Sequence, residues 1–198
     1  MSTRIARRLI LTAMALGAVL MLPATSLAAD VTGTAGPDHL VGTAGADKIW
    51  GLEGDDILEG LGGADWIDGG ADHDLIYGGG GNDVLFGGLG RDRIRGGAGQ
   101  DVIKGGANAD RLAGGDGQDA IYGGGGPDTI YGGDAADAIW GGAGRDVVYA
   151  GSGNDVIRVG GDKTADAVHC GLGWDVAYLG RYDIADASCE RKIRHREP

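Results

Sequence analysis

The chain has 198 residues, 43 of them Gly and only four Pro, with 29 Asp+Glu against 17 Lys+Arg and a net charge of −12. Abundant glycine with scarce proline excludes collagen, and a 42% hydrophobic content excludes a disordered chain. A single Phe and this much glycine also exclude an ordinary packed enzyme core, while the acidity argues against nucleic acid and anionic membranes and for cations as partners.

The first 28 residues read as a secretory signal peptide. Arg4, Arg7 and Arg8 form a basic start, Leu9 to Leu22 an apolar stretch closed by Pro23, and Ser26-Leu27-Ala28 a cleavage site with small residues at the right places. The stretch is short for a membrane span. Arg7-Arg8 before Leu9 leaves Sec and twin-arginine export both open. A short lead, 29–32, follows.

From Gly33 to Arg158 the sequence divides into 14 blocks of nine without insertion or deletion. The sixth position is always Asp: Asp38, Asp47, Asp56, Asp65, Asp74, Asp83, Asp92, Asp101, Asp110, Asp119, Asp128, Asp137, Asp146 and Asp155. The eighth is always Leu, Ile or Val, from Leu40 to Ile157. Gly opens 13 blocks, Ala150 being the exception, and fills the fourth position in 11, where Asp72, Asn108 and Ala135 depart. Such a phase marks a solenoid. Glycines take the conformations a tight turn needs, so that backbone carbonyls can face a cation. A regularly placed Asp adds a hard anionic oxygen of the kind Ca²⁺ prefers. Strand alternation sends position eight inward and positions seven and nine outward.

Gly78-Gly79-Gly80-Gly81-Asn82-Asp83-Val84-Leu85-Phe86 and Gly87-Gly88-Leu89-Gly90-Arg91-Asp92-Arg93-Ile94-Arg95 match G-G-x-G-x-D-x-U-x in full. The chain thus resembles the RTX calcium-binding nonapeptide family over about two thirds of its length. The resemblance implies an all-β, right-handed parallel β-roll with two nonapeptides per turn. In it, six residues make the calcium turn and three a short strand. Fourteen half-turns imply seven turns and, with ions between neighbouring turns, a ceiling of about twelve Ca²⁺. The ligand set it implies is the 14 repeat aspartates with the backbone carbonyls of Gly78, Gly80, Gly87, Gly96, Gly105, Gly114 and Gly123.

Alternate blocks share an outer face. One carries Trp50, Trp66, Phe86, Tyr122 and Trp140, and is a candidate surface for self-association or for a cell-wall or glycan contact. The other carries His39, Glu59, Arg93, Arg95 and Arg111 with Tyr77, Tyr131 and Tyr149.

After Arg158 the phase slips by about two residues and resumes at Asp166 and Asp175. Asp166-Ala167-Val168-His169-Cys170-Gly171-Leu172-Gly173-Trp174-Asp175, followed by Cys189-Glu190, resembles the C-terminal units of secreted actinobacterial calcium-binding repeat proteins. Residues 159–190 are therefore expected to cap the solenoid, with Cys170 and Cys189 oxidised in an exported chain. Arg191, Lys192, Arg194 and Arg196 form a basic tail, 191–198.

Catalytic chemistry is not expected. The histidines His39, His73, His169 and His195 are scattered, no H-E-x-x-H is present, and Ser152 lies in a repeat turn. The expectation is a secreted, extracellular, non-enzymatic calcium-binding protein that folds on binding calcium. A cell-surface or matrix adhesive protein using calcium as scaffold is the alternative.

Overall fold

The structure, a computed structural model, describes residues 28–194 together with the backbone of Leu9–Thr12 and Val19–Leu20. The rest of the 1–28 leader and the end of the tail, His195 to Pro198, lie outside the described residues. Among the described residues every element is a strand. The first are β1 (Leu9–Thr12), β2 (Val19–Leu20), β3 (Ala29–Thr32), β4 (His39–Val41), β5 (Lys48–Glu53), β6 (Ile57–Gly62) and β7 (Trp66–Ala71). Then come β8 (Leu75–Gly80), β9 (Val84–Leu89), β10 (Arg93–Ala98), β11 (Val102–Ala107), β12 (Arg111–Asp116), β13 (Ala120–Gly125) and β14 (Thr129–Asp134). The last are β15 (Ala138–Ala143), β16 (Val147–Ser152), β17 (Val156–Arg158), β18 (Ala167–Leu172), β19 (Val176–Leu179), β20 (Ile184–Ala185) and β21 (Arg191–Arg194).

Odd strands form one parallel sheet of 11 and even strands another of 10. The chain therefore winds as a parallel β-solenoid with one strand of each sheet per turn, as its 18-residue repeat of two nonapeptides requires. The turn count exceeds the expected seven: β3 to β20 make about nine, because the short lead and the segment after Arg158 add strands to both sheets. The pairing offset changes from 18 to 20 residues there, Val147 facing Ala167 and Val156 facing Val176. Two extra residues between Val159 and Asp166 take up the slip.

Strands are also longer than the three residues expected. Most run for six, through positions seven, eight and nine and into the first three residues of the next repeat. Stacked turns keep the backbones in register, so the ladder continues past the side-chain-bearing segment. The opening glycine is skipped: in β8 and β10, pairing runs Leu75–Arg93, Ile76–Ile94, Tyr77–Arg95 and resumes at Gly79–Gly97.

The core is two columns of aliphatics. Leu40, Ile49, Leu58, Ile67, Ile76, Leu85, Ile103, Leu112, Ile121, Ile130, Ile139 and Ile157 are all fully buried. Position one also faces inward, and in the last turns the glycine there gives way to Ala150, Val159, Cys170 and Leu179, all core residues. Cys170 and Cys189 form a disulfide at that end.

Candidate metal site in the turns

The repeat aspartate ends each turn just before a strand, and its alternation sends the carboxyl inward. From Asp38 to Asp155, each of the 14 is at most 7% exposed. They stack in two columns along the solenoid axis, tied by one recurring bond. The backbone N–H of each Asp donates to Oδ1 of the Asp one turn further on: Asp65 to Asp83 at 2.8 Å, Asp83 to Asp101 at 2.9 Å, Asp101 to Asp119 at 2.8 Å. The columns continue through Asp146 to Asp166 and Asp155 to Asp175, both 2.8 Å, and one ends where Asp175 N–H meets Glu190 Oε2 at 2.8 Å.

The second oxygen is different. Oδ2 is buried without a hydrogen-bond partner in 14 aspartates, the 12 from Asp56 to Asp155 plus Asp166 and Asp175. An unpartnered buried carboxylate oxygen is costly unless a proton or a cation meets it. Position one explains where that cation belongs. A Cβ built on Gly105 would lie 2.5 Å from Asp110 Oδ2 and 2.6 Å from the carbonyl oxygen of Gly123 in the next turn. Glycine is required there because the space is taken by two oxygens, both acceptors, with no donor between them.

The same arrangement sets the carbonyls of Gly78, Gly87, Gly96, Gly105, Gly114 and Gly123 beside Oδ2 of Asp65, Asp74, Asp83, Asp92, Asp101 and Asp110 respectively. Gly80 does not join them. Its carbonyl accepts the Gly63 N–H at 2.8 Å in the turn ladder. Among the described residues no group of three His, Cys, Asp or Glu side chains converges. An ion would therefore take carboxylate and backbone carbonyl oxygens together, the hard donor set suited to Ca²⁺ and unlike the nitrogen and sulfur sets of zinc. The residues fit calcium.

Electrostatics point the same way. Burial, helped by the charges of neighbouring column members and opposed by the backbone N–H bond, pushes Asp65, Asp74, Asp110, Asp119, Asp128 and Asp137 up to about 7. Burial likewise raises Asp56, Asp101 and Asp155 to about 6. These carboxyls resist ionising without a positive partner.

The sequence profile of the RTX calcium-binding nonapeptide repeat matches four times, at residues 32–66, 59–94, 86–121 and 122–157. The chain belongs to the RTX family. It is a β-roll of calcium-binding repeats. Comparison with curated proteins returns no match.

The two ends of the RTX roll differ from its middle. Position two takes a positive φ in the body of the roll even without glycine, 88° at Leu52 and 74° at Leu61, and position four does so at Asp72, Asn108 and Ala135. Thr34 and Thr43, at position two of the first two repeats, do not. Their N–H groups turn onto Oδ2 of Asp38 and Asp47, and Thr34 Oγ1 adds a bond of 2.9 Å to Asp38 Oδ2. Oδ2 of each is therefore met by protein donors. At the far end, Asp166 and Asp175 carry the orphan oxygen although they were left out of the expected ligand set. The resumed phase after the slip was the signal that could have found them. Asp183 closes its column with Oδ2 held by Gly180 N–H.

Proposed function

We propose that this is a secreted, non-enzymatic calcium-binding protein whose roll assembles outside the cell when Ca²⁺ enters its turns. One observation carries the reading: 14 buried, unpartnered aspartate oxygens, each in the interior of a turn. The 12 from Asp56 to Asp155, with the position-one carbonyls beside them, would hold the ions. Bound calcium would supply the charge that the two facing acceptors lack, so binding free energy is folding free energy. Extracellular modules of this kind bind with constants on the order of 10⁻⁴ to 10⁻³ M. The basic-apolar leader before Ala29 and a Cys170–Cys189 disulfide, suited to an oxidising compartment, support export.

Far-UV circular dichroism during a Ca²⁺ titration, with Mg²⁺ as control, tests it. A cooperative, calcium-specific gain of β structure is expected. A β spectrum indifferent to calcium and chelator overturns the reading.

The adhesive alternative rests on the aromatic rank of the odd sheet. There Tyr122 and Trp140 stack with centroids 4.4 Å apart and planes 7° from parallel, and Arg158 sits over Trp140 at 5.6 Å. Those ring faces are spent on neighbours along the sheet, which favours a role in holding turns together. Trp140→Ala with Tyr122→Ala should leave sedimentation unchanged; loss of a self-associated species would favour adhesion.

A further inference from the structure

The even sheet carries a feature that calcium binding does not use. Its outer face holds a groove of about 550 Å³ floored by Leu75 and Thr129 and edged by His73, Arg91, Arg93 and Arg111. Arg93 and Arg111 are direct neighbours in the ladder, β10 against β12. Like charges placed opposite each other on adjacent strands are destabilising, so the pair is a cost that folding alone does not explain. Arg95 follows on the same strand and opens onto an adjoining depression with the exposed Tyr77.

None of Arg91, Arg93 and Arg95 makes an ion pair with another described residue. Arg111 meets only the Tyr131 ring, its guanidinium carbon 4.8 Å from the centroid. The His73 ring accepts the Arg91 backbone N–H through Nδ1 at 2.9 Å, which keeps the neutral ring's proton on Nε2 as a further donor. Four guanidiniums, an imidazole N–H and the Thr129 hydroxyl are all donors. Asp116 shares the depression of Arg95 and Tyr77 without pairing with it, and among the described residues no carboxylate lies within ion-pair distance of the four arginines.

We propose that this groove binds a glycan strand bearing sulfate or phosphate ester groups. Arginine forks match such oxyanions, and Tyr77 and Leu75 offer apolar surface to sugar rings. One small anion would not span arginines spread over neighbouring turns, about 4.8 Å apart from strand to strand, whereas a strand with repeated charges would. A flat membrane surface does not reach into a groove, and the acidic roll repels the denser charge of nucleic acid.

Binding is also coupled to calcium, a part that rests on the function proposed above. The repeat aspartates Asp74, Asp92 and Asp110 lie at the back of the same groove. The groove draws its lining from successive turns, with Arg93 and Arg111 brought side by side only when those turns stack, so calcium that assembles the turns would assemble the site.

The test is isothermal titration of the whole protein, in millimolar Ca²⁺ and again in chelator, with a sulfated tetrasaccharide, its desulfated counterpart and inorganic sulfate. Phosphatidylglycerol vesicles serve as a membrane probe. Binding of the sulfated sugar at least about tenfold tighter than the other probes is expected. Arg93→Ser with Arg111→Ser should weaken it about tenfold or more, and Lys104→Ser, on the opposite sheet, should not. Circular dichroism of each variant reports whether it still folds, and Arg95→Ser alone, with a smaller expected loss, serves if the double variant does not. Equal binding of sulfated and desulfated sugars, binding to vesicles alone, or indifference of a folded arginine variant overturns the site. Equal affinity in calcium and chelator overturns only the coupling, and with a calcium-indifferent spectrum it counts against the calcium reading while the arginine site stands.

Discussion

Thr43 encloses the carboxylate of Asp47: its hydroxyl lies 3.0 Å from Oδ1 and 3.1 Å from Oδ2, and its backbone N–H donates to Oδ2 as well. Nothing comparable reaches Oδ2 of Asp65, one turn on in the same column, where position two is Leu61 at φ 74°. A β-branched residue avoids positive φ, and at negative φ the N–H and hydroxyl of threonine point onto the carboxylate. Asp47 therefore has donors for both oxygens, and Asp65 for one.

That contrast predicts which aspartates calcium needs. Asp47→Asn should change the midpoint of the calcium-induced β transition by less than about twofold. Asp101→Asn should do more, because an amide nitrogen in the place of Oδ2 donates to the facing Gly114 carbonyl and removes the demand for a cation. The expected outcome is a metal-free roll with more β structure and less cooperative calcium binding, read by circular dichroism and calorimetry.

Acidification should act as a partial substitute for calcium. Burial raises Asp56, Asp65, Asp74, Asp101, Asp110, Asp119, Asp128, Asp137 and Asp155 on folding from the ordinary carboxylate range to about 6 or 7. The folded state then holds more protons than the unfolded one between pH about 4 and 7, and stability falls as pH rises through that window. In chelator, β structure should grow as pH is lowered from about 8 toward 4, and calcium uptake near neutrality should release protons. A metal-free spectrum that loses β structure over that range contradicts the assignment.

Position one tests the crowded interior directly. Gly105→Ala puts a methyl group 2.5 Å from Asp110 Oδ2 and 2.6 Å from the Gly123 carbonyl oxygen, so the side chain or the backbone must shift. A loss of about 1–3 kcal/mol in urea unfolding with saturating calcium is expected. Gly125→Ala adds its methyl where nothing lies within 4 Å and should stay within about 0.5 kcal/mol.

The disulfide should matter at one end only. Cys170 and Cys189, 19 residues apart, are buried beside Val168 and Leu179 in the last turns. Replacing both by Ser removes about 3 kcal/mol of loop-closure stabilisation and puts hydroxyls among apolar neighbours. Hydrogen exchange should quicken in β18 to β21 and stay slow in β7 to β13.

Much of this molecule is legible as text because a solenoid is nearly one-dimensional. The nine-residue period indicated a solenoid, an inward Leu, Ile or Val such as Leu85 and two unlike outer faces, and the resemblance to the RTX repeats indicated parallel turns with an Asp such as Asp83 in each. The resemblance of the last segment indicated that Cys170 and Cys189 pair. All of these depend on residues within one repeat, or on a fixed offset between repeats. What the tertiary structure decided lies between turns. Oδ1 of Asp83 is occupied because the Asp65 N–H sits one turn below, and Oδ2 is not because Gly78 and Gly96 leave only acceptors beside it. The same holds for Thr34 and Thr43, whose backbone angle and not their composition silences two carboxylates, and for Asp166 and Asp175, which rejoin the columns once the two-residue slip is absorbed. Periodicity places a carboxylate; which of its oxygens finds a donor is set by atoms 18 or 20 residues away, after the turns have stacked.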